Sequence, residues 1–182
     1  MSFKKPLDLL YFVLEHGEEV TKQGLVLYMT GAQSSYVTGL ASTYTVCEVA
    51  PCPANTRPVG IAYKTTENYL WSTSLSPLYE SGVEIAVVRE GEVNVPYHIG
   101  ANVGVICGDI MSMRNALTTG HVNKHVPTPY PAVYNSATMD TIKTEQGYVV
   151  GVAKEIITAS TASQMGYIKL LLNIHDTISD HE

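Results

Sequence analysis

Charge is sparse in this chain. Asp, Glu, Lys and Arg make up 15% of its 182 residues, against about 25% in ordinary soluble domains. Such a chain either covers its faces with Ser and Thr or sets much of its surface against other protein. Basic residues are the rarer sign, 11 against 17 acidic, with a net charge of −6. They are scattered, so the basic groove that a nucleic acid requires is not expected. Cysteine is also scarce, with 3 copies, an odd number that suits no paired secreted framework. Long apolar runs are missing. The longest, Leu9 to Leu14 and Leu170 to Leu172, fall far below the ~20 residues of a membrane-crossing helix. The start, Met1-Ser2-Phe3-Lys4-Lys5-Pro6, has no signal-like apolar stretch, and a soluble protein made in the cytoplasm is expected.

What the chain has is strand material. There are 12 Tyr beside 2 Phe and 1 Trp, and Val, Ile and Thr recur in short runs bounded by Gly and Pro, the pattern of β-strands. Helical spacing is confined to Leu7 to Glu15, where Leu7, Leu10, Tyr11 and Leu14 lie three or four apart. A strand fits Tyr11-Phe12-Val13-Leu14 equally well, and an extended arm (1–19) leading into a first strand is expected. Strands then follow at Leu25 to Thr30, Thr43 to Val49, Val59 to Tyr63, Val83 to Arg89, Val93 to Val95, Val103 to Cys107, Ile110 to Met113, Val149 to Ala153 and Tyr167 to Ile174. Glu90-Gly91-Glu92 reads as a tight hairpin turn, and Pro96 as a strand end. Gln33 to Thr43 and Ala116 to Thr138, the latter with Pro127, Pro129 and Pro131, read as long loops. A chain of this length buries roughly 70% of its unfolded surface without a metal or disulfide staple.

One phrase occurs twice. Val59-Gly60-Ile61-Ala62 returns as Val150-Gly151-Val152-Ala153, and each copy precedes a Gly-led apolar strand, Gly82 to Val88 and Gly166 to Leu172. Two β-units, about 20–95 and 103–174, with loops of unequal length are expected. The doubled phrase then forms paired ribs of one barrel (20–175), followed by a tail at 176–182.

The succession V-G-I-A, G-V-E-I-A-V-V-R-E-G-E-V-N-V, G-D-I-M, V-V-G-V-A-K-E and G-Y-I-K-L-L-L, spread over Val20 to Asn173, resembles the small capsid decoration, or cement, proteins of tailed bacteriophages and related viruses. The resemblance implies an all-β module, a small β-barrel or β-tulip with an N-terminal arm and long loops. It implies a homotrimer on the outer surface of an icosahedral capsid, in contact with the major capsid protein. Pro6, Leu9, Leu10, Tyr11 and Phe12 would be the arm's capsid contacts. Gly60, Gly82, Gly108, Asp109, Gly151 and Gly166 would be structural. No cofactor, nucleic acid, membrane or enzymatic activity is implied. The segments from Thr30 to Arg57 and from His121 to Met139 are longer and more polar than the family pattern.

Other residues suggest other chemistries. Cys47 and Cys52 with His121 and His125 make a C-x4-C and H-x3-H spacing reminiscent of zinc ligands, but the gap between the pairs is far longer than in a finger. A Cys47–Cys52 disulfide is a further alternative. Cys107 and His98 offer a thiol and a base, yet Val105-Ile106-Cys107 reads as an apolar strand carrying an inert thiol. Asp109 after Gly108 reads as a turn whose carboxylate binds local N–H groups. A G-x-S-x-G elbow, a P-loop and a G-x-G-x-x-G loop are all absent. Tyr36, Tyr44, Tyr69, Trp71, Tyr79, Tyr130 and Tyr134 could stack on sugar rings, which makes a glycan- or receptor-binding virion module the alternative function.

Overall fold

Among the described residues, aromatic and β-branched residues in short runs give ten strands, arranged as a closed barrel beside an open sheet. The computed structural model describes residues 9–37, 43–63, 84–127, 137, 139 and 145–174. Helical backbone occurs among these at Ala137, Met139, Glu145 and Gln146, and the fold is all-β. The barrel holds β1 (Leu9–Leu14), β2 (Val26–Val37), β3 (Thr43–Pro51), β4 (Gly60–Ala62) and β5 (Glu84–Val88). Its order is β1-β3-β2-β4-β5, and β1 closes the ring by pairing with β5 antiparallel and with β3 parallel. The open sheet holds β6 (Glu90–Ile99), β7 (Ile110–Ser112), β8 (Asn123–Lys124), β9 (Val149–Ala153) and β10 (Gln164–Asn173), in the order β6-β10-β9-β7-β8.

Successive strand residues point to opposite faces, and the barrel wall uses both. Leu27, Ala62 and Val87 join Leu14, Val49 and Ile85 in a core inside the barrel. Their neighbours Val26, Ile61 and Val88 point outward into a second core, with Val95, Ile99, Met111, Ile168 and Leu170 of the open sheet. The pairing register agrees, setting Ile61 opposite Val88 and Ala62 opposite Val87. Continuous apolar runs such as Ile85 to Val88 are therefore buried on both faces.

Several boundaries differ from expectation. β2 does not stop at Gly31. The strand carries an irregularity between Met29 and Gln33, Gly31 takes φ +86, and pairing with β3 resumes at Gln33. Gln33 to Val37 and Thr43 are thus hairpin strand in place of loop, because Ser34 to Val37 meet the β-branched run Thr43 to Val46. Glu90-Gly91-Glu92 is no hairpin turn. It opens β6, which leaves the barrel and pairs along its whole length with β10. Pro96 lies inside β6. That position is tolerated because β6 is the sheet's edge strand, and the Pro96 carbonyl accepts from the Val122 N–H at 3.0 Å. Val103 to Cys107 forms only a bridge between Val105 and Ile157. Within the expected loop Ala116 to Thr138 lies β8, and Pro129 and Pro131 fall outside the described residues.

The two copies of the repeated phrase are ribs of different sheets, β4 in the barrel and β9 in the open sheet. Their glycines nevertheless serve the same need. A Cβ on Gly60 would overlap Val87 Cγ1 and stand 2.9 Å from the Val88 carbonyl oxygen. A Cβ on Gly151 would overlap the Leu171 carbonyl oxygen. In each copy the missing side chain lets the neighbouring strand approach closely.

Candidate interaction surface

The open sheet packs one face on the barrel and leaves the other in water. An exposed face of an antiparallel sheet is ordinarily polar. Here β10 alternates buried Ile168, Leu170 and Leu172 with exposed Tyr167, Lys169 and Leu171, and Met165 is exposed beyond them. Leu171 stands opposite Val152 of β9, which stands opposite Ile110 of β7. With Leu171 45% and Ile110 42% exposed, these three make an apolar row across the centre of the sheet. Tyr167 and Met165, about half exposed at 51% and 53%, lie farther along the same face of β10, separated from Leu171 by the exposed Lys169. The antiparallel bridge of Val105 with Ile157 also sets the exposed Ile106 and Ile156 across from one another. Charge lies around this row. Lys154 pairs with Glu92 at 3.7 Å, and Lys169 with Glu155 at 3.9 Å. An apolar centre with a charged rim is the anatomy of a protein-contact surface.

Of the six residues expected to be structural, five lie among the described residues and Gly82 lies outside. Gly166 sits opposite Tyr97 and beneath its ring, 3.2 Å from the place a Cβ would occupy. Asp109 closes a turn before β7: its Oδ2 accepts from the Ile106 N–H at 2.9 Å and from Lys124 Nζ at 2.7 Å. Gly108 supplies φ +96 in that turn. The Lys124 hydrogen bond, then the Ile106 N–H, hold the Asp109 carboxyl below its ordinary range.

Of the expected arm contacts, Leu9, Leu10, Tyr11 and Phe12 form β1, each paired with β5. Tyr11 is exposed and Phe12 packs on the barrel core. Pro6 lies outside the described residues, as do Tyr69, Trp71, Tyr79, Tyr130 and Tyr134. Tyr36 and Tyr44 are backbone register partners in the β2–β3 pairing.

The metal-spaced residues do not converge. Cys52 is buried in the shared core, its thiol donating to the Thr56 carbonyl at 3.4 Å and pushed up to about 12 by burial. Cys47 is exposed, and both thiols are free. His121 Nδ1 lies 2.9 Å from the Thr119 carbonyl oxygen, and His125 Nδ1 lies 3.2 Å from Ser112 Oγ. Among the described residues, no three His, Cys, Asp or Glu side chains are grouped to hold a metal. Cys107 is exposed and not in a buried strand, because the chain bends into the Asp109 turn. His98 is engaged at Nδ1 by Thr118 Oγ1 at 2.7 Å.

Sequence reasoning missed one pair with a reactive appearance, Ser112 and His125. Its hydroxyl is fully buried and also accepts the Arg114 N–H at 3.3 Å. Burial, and then Arg114, hold the His125 ring below its ordinary range, while Glu145, bridged to Arg114, opposes them. A nucleophile sealed from solvent cannot meet a substrate, and the pair braces β7 against the segment directly after β8. The apolar row was also missed. Leu170-Leu171-Leu172 is apolar at every position, so only the register identifies which residue faces out. No protein-family model, curated protein or solved structure matches this chain.

Proposed function

We propose that this chain is a non-enzymatic structural protein of a virion, a β-barrel decoration module that docks as a homotrimer on the outer surface of an icosahedral capsid. It stabilises the shell by bridging capsomers, and the major capsid protein is its partner. The observation that carries this reading is the apolar row Ile110–Val152–Leu171 on the solvent side of the open sheet. Low charge supports it, since an interface core is depleted of charged residues and enriched in Tyr and Met. A closed barrel supports it too, because closure removes the free strand edges that invite irregular aggregation. The order of strand motifs from Val20 to Asn173 resembles the decoration family.

The test is co-sedimentation of the purified protein with shells of the major capsid protein from the same virus, together with its mass in solution. Binding should saturate at a fixed ratio to capsomers and raise the temperature at which the shells rupture. Failure to bind the shells, or binding without any gain in shell stability, would overturn the reading.

A further inference from the structure

We propose that His121 is an acid-sensitive latch that holds the barrel to the open sheet. Residues Gly120 to Val122 form a clasp between the two. On the barrel side, the Gly120 carbonyl accepts from the Val26 N–H at 3.0 Å, and the Gly120 N–H donates to the Cys52 carbonyl at 2.8 Å. On the sheet side, the Val122 N–H donates to Pro96 at 3.0 Å, and the Val122 carbonyl accepts from the His98 N–H at 3.0 Å. His121 lies between these two pairs and is 5% exposed.

Its ring is committed to the neutral form. Nδ1 is within hydrogen-bond reach of the Thr119 carbonyl oxygen, which can only accept, so Nδ1 carries the proton. Nε2 is then a bare acceptor, buried and without a partner among the described residues. Protonation would place an N–H there with nothing to receive it, in a site shielded from water. The charged groups that act on the ring are Lys22, in the turn leading to β2, and His98, on β6; both disfavour a positive ring. Burial, the largest cause, lowers the ring's affinity for protons in the same direction, and the Thr119 carbonyl opposes it. An opened clasp binds the proton more readily than a closed one, so acid favours opening.

The sign follows. A histidine whose folded-state affinity is depressed contributes stability above the ordinary value of about 6.5, and that contribution is lost as pH falls below it. The experiment is native-state hydrogen exchange of the Val26, Gly120, Val122 and His98 amides, each divided by its chemical rate, in the full chain and in His121→Gln. Between about pH 7.5 and about pH 5.5, protection in the parent should fall about tenfold, while the variant stays level. Equal falls in both proteins, or none in the parent, overturn the latch. If His121→Gln does not fold, the NMR titration of the His121 ring in the parent decides. A midpoint below about 6.5 that tracks the loss of protection supports it, and one at or above that value overturns it.

Discussion

Gly151 lies directly against the backbone of Leu171, with the space a Cβ would need already filled by the Leu171 carbonyl oxygen. The partner atom is backbone and cannot swing aside. Gly151→Ala should therefore cost about 1–3 kcal/mol, the usual range for overpacking. Gly60→Ala should cost a similar amount, because it competes with Val87 for the barrel interior. Urea unfolding would show a lowered midpoint with an unchanged slope for both. A neutral result at either glycine would show that its neighbouring strand can retreat.

Asp109 gives an acid dependence of known sign. Its carboxyl is depressed by Lys124 and the Ile106 N–H, so its contribution is present above the ordinary carboxylate value of about 3.9 and lost as pH falls through the folded-state value. Asp109→Asn should destabilise by about 1 kcal/mol at neutral pH. Thermal midpoints compared at neutral pH and at about pH 3 should show the gap from the parent shrinking in acid.

The three cysteines should separate by accessibility. Cys47 and Cys107 are exposed and Cys52 is buried. A thiol reagent such as DTNB should titrate two quickly in the native protein, and the third only in denaturant.

Leu171→Ser tests the apolar row apart from the fold. Leu171 is exposed while its neighbours Leu170 and Leu172 are buried. The substitution should change stability by no more than about 0.5 kcal/mol, and it should weaken or abolish attachment to capsid shells. Leu170→Ser, on the opposite face, should instead destabilise the fold severely. Equal loss of folding in both variants would show that the row is structural.

Much of the strand content was legible in the residues, because Val, Ile, Tyr and Thr runs with Gly and Pro boundaries report local preference. The partition of those strands was not. Glu90-Gly91-Glu92 carries every local sign of a hairpin, yet β6 pairs with β10, far along the chain, across a register of ten residue pairs that no turn residue announces. Pro96 signals an end only where its missing N–H would be needed, and an edge strand does not need it. The Asp109 turn was readable because its chemistry is local. The His121 clasp was not, since its partners Val26, Cys52, Pro96 and His98 come together only through the fold.

The alternation along β2, β4 and β5 has a consequence for how the molecule comes apart. Each of Val26–Leu27, Ile61–Ala62 and Val87–Val88 gives one side chain to each core. A barrel cut free at Arg89 would turn a stripe of valine and isoleucine to water, and a sheet cut free would lose its floor. Neither half is a portable module. A lesion in either is felt in both, so the whole chain should melt in a single transition.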